Sequence, residues 1–503
     1  MVESSRGVVA SLSLLNLFAN ATRVLLSFFL TVLAARALGA TSFGQYNIII
    51  GYTFWLNYII PLGFDLSLPY FVNAGVKGDL QPNPRQLLIE SIKYPAVFGC
   101  SLSLLASVVA WFWLESNSLK DLFLPTVLII LQSLFWALGS VLSGYLRAFK
   151  AFKPSVIRDQ ILFPIINLIL FVITVRIMLL GLNGLAAAYF GAAFISCLYV
   201  GHAAWKVSKE FPAALDKVST PKKLARERLW RSIPLGFMTV FENMTYWVSI
   251  IIIGWFCVPA DVGFYSVCLR VAMLTQFFFM AVHPIAAPFL GELFVKADRS
   301  EFADLYQVIT FWGAKWIVIT GFVLASCSDY ILTLFGKEFR QGSLLLTVIL
   351  CGLFLEGMFG VTKHALIMAG RTKLNAINQL ISSVINLGFC FILVRAIGPV
   401  GGALAFVIGS ASLSAARFVQ SRKILKVSPL SRQQLTHLSL LLAFFVTIFF
   451  LVTNFEVAGD VRLATALLAG GTAAIVSYWG DRHHFTQLLL PILKSRFSKS
   501  LSD

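Results

Sequence analysis

The chain has 503 residues, 58% of them hydrophobic and 13% charged, with a formal net charge of +17 and a mean hydropathy of +0.83. An ordinary soluble domain carries about 25% charged residues, so this composition excludes a water-soluble globular protein. The basic excess by itself admits a nucleic-acid partner, and the distribution of the charges along the chain decides against one.

Crossing about 30 Å of hydrocarbon as a helix takes roughly 20 apolar residues. Apolar runs bounded by charge, Gly and Pro predict fourteen such helices, near residues 8–35, 46–72, 88–113, 122–146, 156–179, 182–205, 232–256, 262–290, 305–327, 342–369, 374–394, 399–416, 435–454 and 461–480. The first run is too long for the apolar core of a cleaved signal peptide and reads as a retained span. A β-barrel is not expected, because its strands need alternating segments of about ten residues. The seven cysteines stand singly in apolar segments with no CxxC pair and read as small buried hydrophobes.

With the N-terminus placed in the cytoplasm, 29 of the 40 Lys and Arg residues fall in cytoplasmic segments, 7 in outer loops and 4 within helices. That asymmetry is a positive-inside signal, and its largest cluster, Lys206 to Arg231, connects the sixth and seventh helices. The net charge therefore describes topology, with attraction to anionic membrane lipids as a secondary effect.

A shift of 219 residues aligns IINLILFVITVR, Ile165 to Arg176, with VINLGFCFILVR, Val384 to Arg395, pairing Asn167 with Asn386 and Arg176 with Arg395. The same shift superposes Gly44 and Tyr46 of SFGQY on Gly263 and Tyr265 of DVGFY. These four residues are expected at external turns, and the two asparagines in helix packing. An offset of six helices gives two halves of the same orientation, an architecture in which secondary transporters hold substrate between the halves. The expected fold is an all-α polytopic membrane protein: two parallel six-helix repeats around a central cavity, plus two C-terminal helices. The boundaries read as a bundle over 1–206, a basic cytoplasmic linker over 207–231, a second bundle over 232–422, and two extra helices with a cytoplasmic tail over 423–503.

Seven ionisable side chains lie inside predicted spans: Arg23, Asp65, Glu242, Arg270, Lys315, Glu356 and Lys363. At about 2.5 to 3.5 kcal/mol each on insertion scales, they must face protein or water rather than lipid. Helical spacing places Asn16, Asn20, Arg23 and Ser27 on one stripe of the first helix and Asn57, Pro61 and Asp65 on one of the second. The fourth helix carries Gln132, Trp136, Ser140, Ser143 and Arg147; the seventh clusters Thr239, Glu242, Asn243 and Ser249, with Trp247 beside them; Glu356 and Lys363 share a face of the tenth. A shared aqueous cavity and buried structural ion pairs, such as Arg23 with Glu242, both account for these stripes.

No Walker lysine loop, GxSxG, HExxH or DxD occurs, the outer loops are short, and His483 with His484 is a lone pair rather than a metal site. The expectation is therefore movement of a substrate, with no enzyme activity, metal or cofactor.

Ala35 to Tyr46, ARALGATSFGQY, Pro61 to Val72, PLGFDLSLPYFV, and the six-plus-six-plus-two layout resemble the polysaccharide transporters, the Wzx-type O-antigen flippases of the multidrug/oligosaccharidyl-lipid/polysaccharide (MOP) superfamily. The resemblance implies a multi-pass protein of the bacterial inner membrane that turns an undecaprenyl-pyrophosphate-linked oligosaccharide from the cytoplasmic to the periplasmic leaflet, alongside a polysaccharide polymerase and glycosyltransferases. It brings no site residues with it, so the candidates come from polarity and depth. Arg23, Arg270 and Lys315 suit a pyrophosphate, with Arg147 and Lys363 nearer the cytoplasm. Asn20, Asn57, Gln132, Asn243, Trp136 and Trp247 suit sugars. Asp65, Glu242 and Glu356 suit H+ or Na+ coupling. A cation-coupled multidrug exporter of the same superfamily and a lipid-linked peptidoglycan-precursor flippase are the alternatives.

Overall fold

In lipid every backbone N–H and C=O must be satisfied within its own segment, so an apolar chain of this kind is forced into helices. The computed structural model describes residues 2–77, 84–210, 222–295, 299–454, 464–466 and 468–473, and every regular element among them is helical. Ten stretches of these residues are long and apolar enough to cross a membrane. Each of the fourteen expected spans falls on helical residues, some on two helices in succession, and the last is described only over 464–466 and 468–473. Large apolar side chains such as Leu104, Phe112, Leu198, Ile392 and Leu440 are exposed along these helices, as lipid-facing positions require.

The chain divides into two compact units, one Asn16–Trp247 and the other Val248–Asp503 with Met1–Leu15. The N-terminal unit contains α1 (Val2–Ile59) from Asn16 onward, α2 (Phe64–Lys77), α3 (Pro84–Ser116), α4 (Phe123–Ala148), α5 (Phe152–Ile157), α6 (Phe163–Phe171), α7 (Gly181–Glu210) and the first part of α8 (Lys222–Phe256). Its centre is α4, which packs against α2, α3 and α7, while α6 packs against α7. Phe64, Leu68, Leu88, Val141, Leu142, Tyr145 and Val200 form the core. Ala186, Ala188, Ala192 and Ala193 are fully buried on α7, where small side chains let helix backbones approach closely.

The C-terminal unit contains the rest of α8, then α9 (Pro259–Ala272), α10 (Phe277–Val295), α11 (Arg299–Ser326), α12 (Ser328–Thr333), α13 (Ser343–Met358), α14 (Gly360–Met368), α15 (Thr372–Ile397), α16 (Pro399–Gln420) and α17 (Arg432–Asn454). Here α13 packs against α11 and α16, α15 against α16, and α14 against α10, which are the pairings of α4 with α3 and α7, α6 with α7, and α4 with α2 moved on by six spans; α13 also packs against α9. The thirteenth span, α17, stacks Phe445 on Phe322 of α11 at 4.3 Å.

Local geometry follows the same offset. Gly39, at φ 73, breaks α1, and Val258, 219 residues later, is the extended residue before α9. Asn167 and Asn386 are both buried on corresponding helices. The repeat thus shows in the packing of each unit as well as in the aligned motifs.

Three expectations need correction. Gly44, Tyr46, Gly263 and Tyr265 are not turn residues but buried helical ones, because the chain breaks earlier, at Gly39 and Val258. Cys100 and Cys351 are exposed rather than buried, since the outer face of a membrane helix is as apolar as its inner face. Arg158 and Arg417, counted as cytoplasmic-segment charges from their places at span ends, are 1% and 2% exposed. His483, His484 and much of the basic linker, 211–221, lie outside the described residues.

Candidate functional site

The N-terminal unit assembles a cation and aromatic cluster from four helices. Its organiser is a π-helical turn, Arg158–Leu162, between α5 and α6, closed by the Phe163 N–H donating five residues back to the Arg158 carbonyl. The extra residue in such a turn reorients side chains relative to a regular helix, and π turns recur at functional positions. Here it accompanies a guanidinium buried among α4 residues. Arg158 Nη1 donates to Asp159 Oδ1 at 2.7 Å and Nη2 to the Trp136 carbonyl at 3.0 Å, and the guanidinium carbon lies 4.7 Å from the Trp136 ring centroid. Burying a lone guanidinium costs several kcal/mol, and this set of contacts offsets that penalty. Arg158 Nε is buried with no hydrogen-bond partner.

From Trp136 an aromatic ladder runs through Phe163 at 4.8 Å, Tyr189 at 5.4 Å and Tyr46 at 6.2 Å, each pair edge to face. On α1, Arg23 Nη2 donates to Asn20 Oδ1 at 3.4 Å, one turn away, and Arg23 lies within electrostatic range of Asp159. The structure therefore brings together Asn20, Arg23 and Trp136 with Arg158, Asp159, Phe163 and Tyr189. The last four escaped the sequence reading, and the one available signal was the adjacent Arg158–Asp159 pair at the start of an apolar run.

The other candidates of this unit sit elsewhere in it. Arg147 Nη2 donates to the Asp65 backbone carbonyl at 3.2 Å, tying α4 to the start of α2, and Asp65 is within electrostatic range of Arg147 and Tyr58. Asn57 has a buried Oδ1 with no hydrogen-bond partner. Trp247 rests on Phe54, ring centroids 5.0 Å apart. Gln132 is 4% exposed and accepts from the neighbouring Ser133 at 3.4 Å, the position of a packing residue. The side chains of Glu242 and Asn243 lie outside the described residues.

The C-terminal unit holds the remaining candidates. Arg270 is in the last turn of α9, before a 3-10 turn, Met273–Gln276. Lys315 is 4% exposed, its Nζ 4.1 Å from the Phe311 ring centroid and 5.2 Å from that of Trp312, an ammonium seated on aromatic faces of its own helix. Glu356 and Lys363 flank the break at Phe359 that separates α13 from α14. Among the described residues no group of three or more His, Cys, Asp or Glu side chains could hold a metal.

A family model described as polysaccharide biosynthesis protein matches residues 9–294, more than half of the chain. The chain belongs to the polysaccharide biosynthesis protein family. A second family model, MatE, matches residues 234–392 of this family member. Among solved structures it is similar to the lipid II flippase MurJ in an inward closed conformation, with TM-score 0.73 and 15% identity over 93% of this chain and 99% of that one. It is also similar to an inward-facing multidrug resistance MATE family transporter of the MOP superfamily, with TM-score 0.67 and 12% identity over 82% and 98%. A Vibrio cholerae MATE transporter gives TM-score 0.56 and 14% identity over 84% and 98%. No curated protein matches the chain. At such identities the structural likeness is one of fold. It is the fold of these transport proteins that this member of the polysaccharide biosynthesis protein family shares.

Proposed function

We propose that the protein carries an undecaprenyl-pyrophosphate-linked oligosaccharide, the repeat unit of an O-antigen or exopolysaccharide, across a bacterial inner membrane by alternating access. The observation that supports this best is the cluster of Arg23, Arg158 and Asp159 beside the Trp136–Phe163–Tyr189 ladder. A pyrophosphate and its sugars cannot enter hydrocarbon without groups that replace their water. Arg23 offers a planar fork to phosphoryl oxygens and Arg158 Nε a further donor, with Asp159 limiting the local positive charge. Aromatic faces suit the apolar faces of sugar rings, and Asn20 and Asn57 suit hydroxyls. Arg270, Lys315 and Lys363 are the cations of the C-terminal unit that remain candidates for the same headgroup. The polyprenyl tail stays in lipid throughout. Energy comes from the substrate gradient or from H+ or Na+, with Asp65, Glu242 and Glu356 as the carboxylates available to carry the ion. Glycosyltransferases build the cargo before transport and a polymerase consumes it afterwards.

Arg23→Gln removes a charge-assisted contact to the pyrophosphate and leaves the fold intact. Transport should fall about tenfold or more, read as surface polysaccharide at unchanged membrane abundance. Wild-type assembly in this variant contradicts the proposal. The MatE match over 234–392 favours a second reading, a drug exporter. A gene deletion that raises drug susceptibility and leaves surface polysaccharide unchanged selects that reading.

A further inference from the structure

Between Glu356 and Glu456 the chain has no acidic residue, and six of the basic residues in that stretch fall in two short connections. Arg371 and Lys373 stand where α15 begins; Arg422 and Lys423 lie in the π turn Ser421–Leu425 that ends α16, with Lys426 and Arg432 after it. All six are exposed, and none of them makes an ion pair among the described residues. The two connections are held together, because Asn378 of α15 and Gln420 of α16 exchange side-chain hydrogen bonds of 2.7 and 2.8 Å. Gln307 of α11 donates to the Ser428 carbonyl at 3.1 Å, and the first turns of that helix set two exposed acids, Glu301 and Asp304, against its own Arg299. This end of the unit therefore stays strongly basic. Like charges gathered in this way repel one another, and a bound anion relieves the repulsion.

The residues beside the cations give the kind of anion. On α15, Lys373, Ile377, Ile381 and Val384 follow one another at helical spacing, and the three apolar ones are each more than half exposed. On α16 and its π turn, Ala411, Ala415, Phe418 and Arg422 form a second exposed stripe, with the Arg422 guanidinium carbon 5.1 Å from the Phe418 ring centroid. The two helices pack against each other, so this face presents two apolar stripes to lipid and each ends in a cation. A topology signal asks only for basic residues in a connection. It does not ask them to continue a lipid-facing stripe. A phospholipid uses both features, its acyl chains on the stripes and its phosphate at the cations, and basic clusters at membrane ends of helices attract the anionic ones.

We propose that the exposed face of α15 and α16, ending in Lys373 and Arg422 with Arg371, Lys423, Lys426 and Arg432 around them, is a docking site for an anionic phospholipid of the surrounding membrane, such as phosphatidylglycerol. The phosphate accepts from Lys373 and Arg422, and the acyl chains lie on Ile377, Ile381 and Phe418. A zwitterionic headgroup brings its own ammonium into a field of cations, so the surplus charge selects the net-anionic lipid. The site uses none of the cations of the transport proposal, so either can fail while the other holds.

The test uses the purified full chain in detergent. Native mass spectrometry follows its titration with phosphatidylglycerol and, separately, with phosphatidylcholine of the same acyl chains. Phosphatidylglycerol should stay bound under conditions that strip phosphatidylcholine. Lys373→Gln combined with Arg422→Gln should weaken its retention about twentyfold, roughly fivefold for each charge, and leave phosphatidylcholine unchanged. Lys373→Arg with Arg422→Lys keeps both charges and should retain the lipid. Lys206→Gln with Lys209→Gln, the same change of charge at the exposed end of α7, is the control and should also retain it. A photoactivatable phosphatidylglycerol added to the unmodified chain gives a readout independent of how the variants fold: label should concentrate in peptides covering 371–384 and 411–426. Equal retention of the two lipids, an equal loss in the control pair, or label without enrichment in those peptides overturns the proposal. A dimer in the same spectra that the Lys373 and Arg422 substitutions break gives the face to a second copy of the chain and also overturns it.

Discussion

Replacing Arg158 with Met is expected to cost the folded state about 3 kcal/mol, the loss seen when one partner of a buried ion pair is removed. The guanidinium is 1% exposed and has three separate attachments: the Asp159 carboxylate, the Trp136 carbonyl and the Trp136 ring. Met fills much of the volume but leaves the carboxylate and carbonyl without their donor. Asp159 is about one-third exposed, 32% for its side chain, so hydration moderates the loss. Lys in place of Arg keeps the charge and cannot bond both acceptors in a planar fork, so Arg158→Lys should recover only part of the stability. The same site can be disturbed from the opposite helix. A Cβ on Gly139 would lie 2.3 Å from Arg158 Nη2 and 2.5 Å from its Cζ, so Gly139→Ala displaces the guanidinium without touching its charge. Thermal unfolding of the purified protein and its membrane abundance should fall in both variants. Unchanged stability in both contradicts this account of the cluster.

Gly63→Ala is expected to be the most damaging single-methyl substitution at the turn between α1 and α2, with a loss of about 3 kcal/mol or more. The turn runs through positive φ at Leu62, 53°, and Gly63, 76°, and it lies directly against α8. A Cβ on Gly63 would stand 2.1 Å from the Ser232 carbonyl oxygen and 2.8 Å from the Gly236 nitrogen, both backbone atoms that cannot swing aside. Beside it the Ser67 hydroxyl of α2 lies 2.7 Å from that of Ser232, and Arg228 of α8 donates to Glu90 of α3 at 3.1 Å. Gly370 is the control, because its φ is similar at +73° but nothing lies within 4 Å of its added Cβ. Gly370→Ala should therefore show backbone strain alone, about 1 kcal/mol. Equal losses in the two variants, read by thermal unfolding, mean that close approach to α8 contributes nothing.

The spans and the repeat were legible because both leave one-dimensional traces. A helix in lipid needs an uninterrupted apolar run, and a duplicated bundle preserves spacing, so Asn167 and Asn386 lie on corresponding helices as the 219-residue offset requires. Breaks within spans were less legible. Gly39 falls in the connection expected between the first two spans, where only backbone geometry shows the residue at which the helix turns, and the tenth span reads as one run although it stops at Phe359, between Glu356 and Lys363. Burial of charge was legible for Lys315, deep in an apolar run, but not for Arg158 or Arg417. At the ends of spans a basic residue looks like a loop charge, and whether it turns inward depends on partners distant in sequence, such as Trp136 for Arg158. The His283–His364 contact was hidden for the same reason: two single histidines on different spans meet only when α10 packs against the broken tenth helix.

The central claim is that this member of the polysaccharide biosynthesis protein family moves a lipid-linked oligosaccharide between leaflets. The most direct measurement reconstitutes the full chain into liposomes that carry a polyprenyl diphosphate bearing a short labelled oligosaccharide. An impermeant lectin or glycosidase then follows the label at the outer leaflet. The expected result is inner-leaflet label that becomes accessible with wild-type protein and remains protected with Arg23→Gln at equal incorporation. Label that stays protected with wild-type protein under an imposed H+ gradient, an imposed Na+ gradient and no gradient contradicts the account.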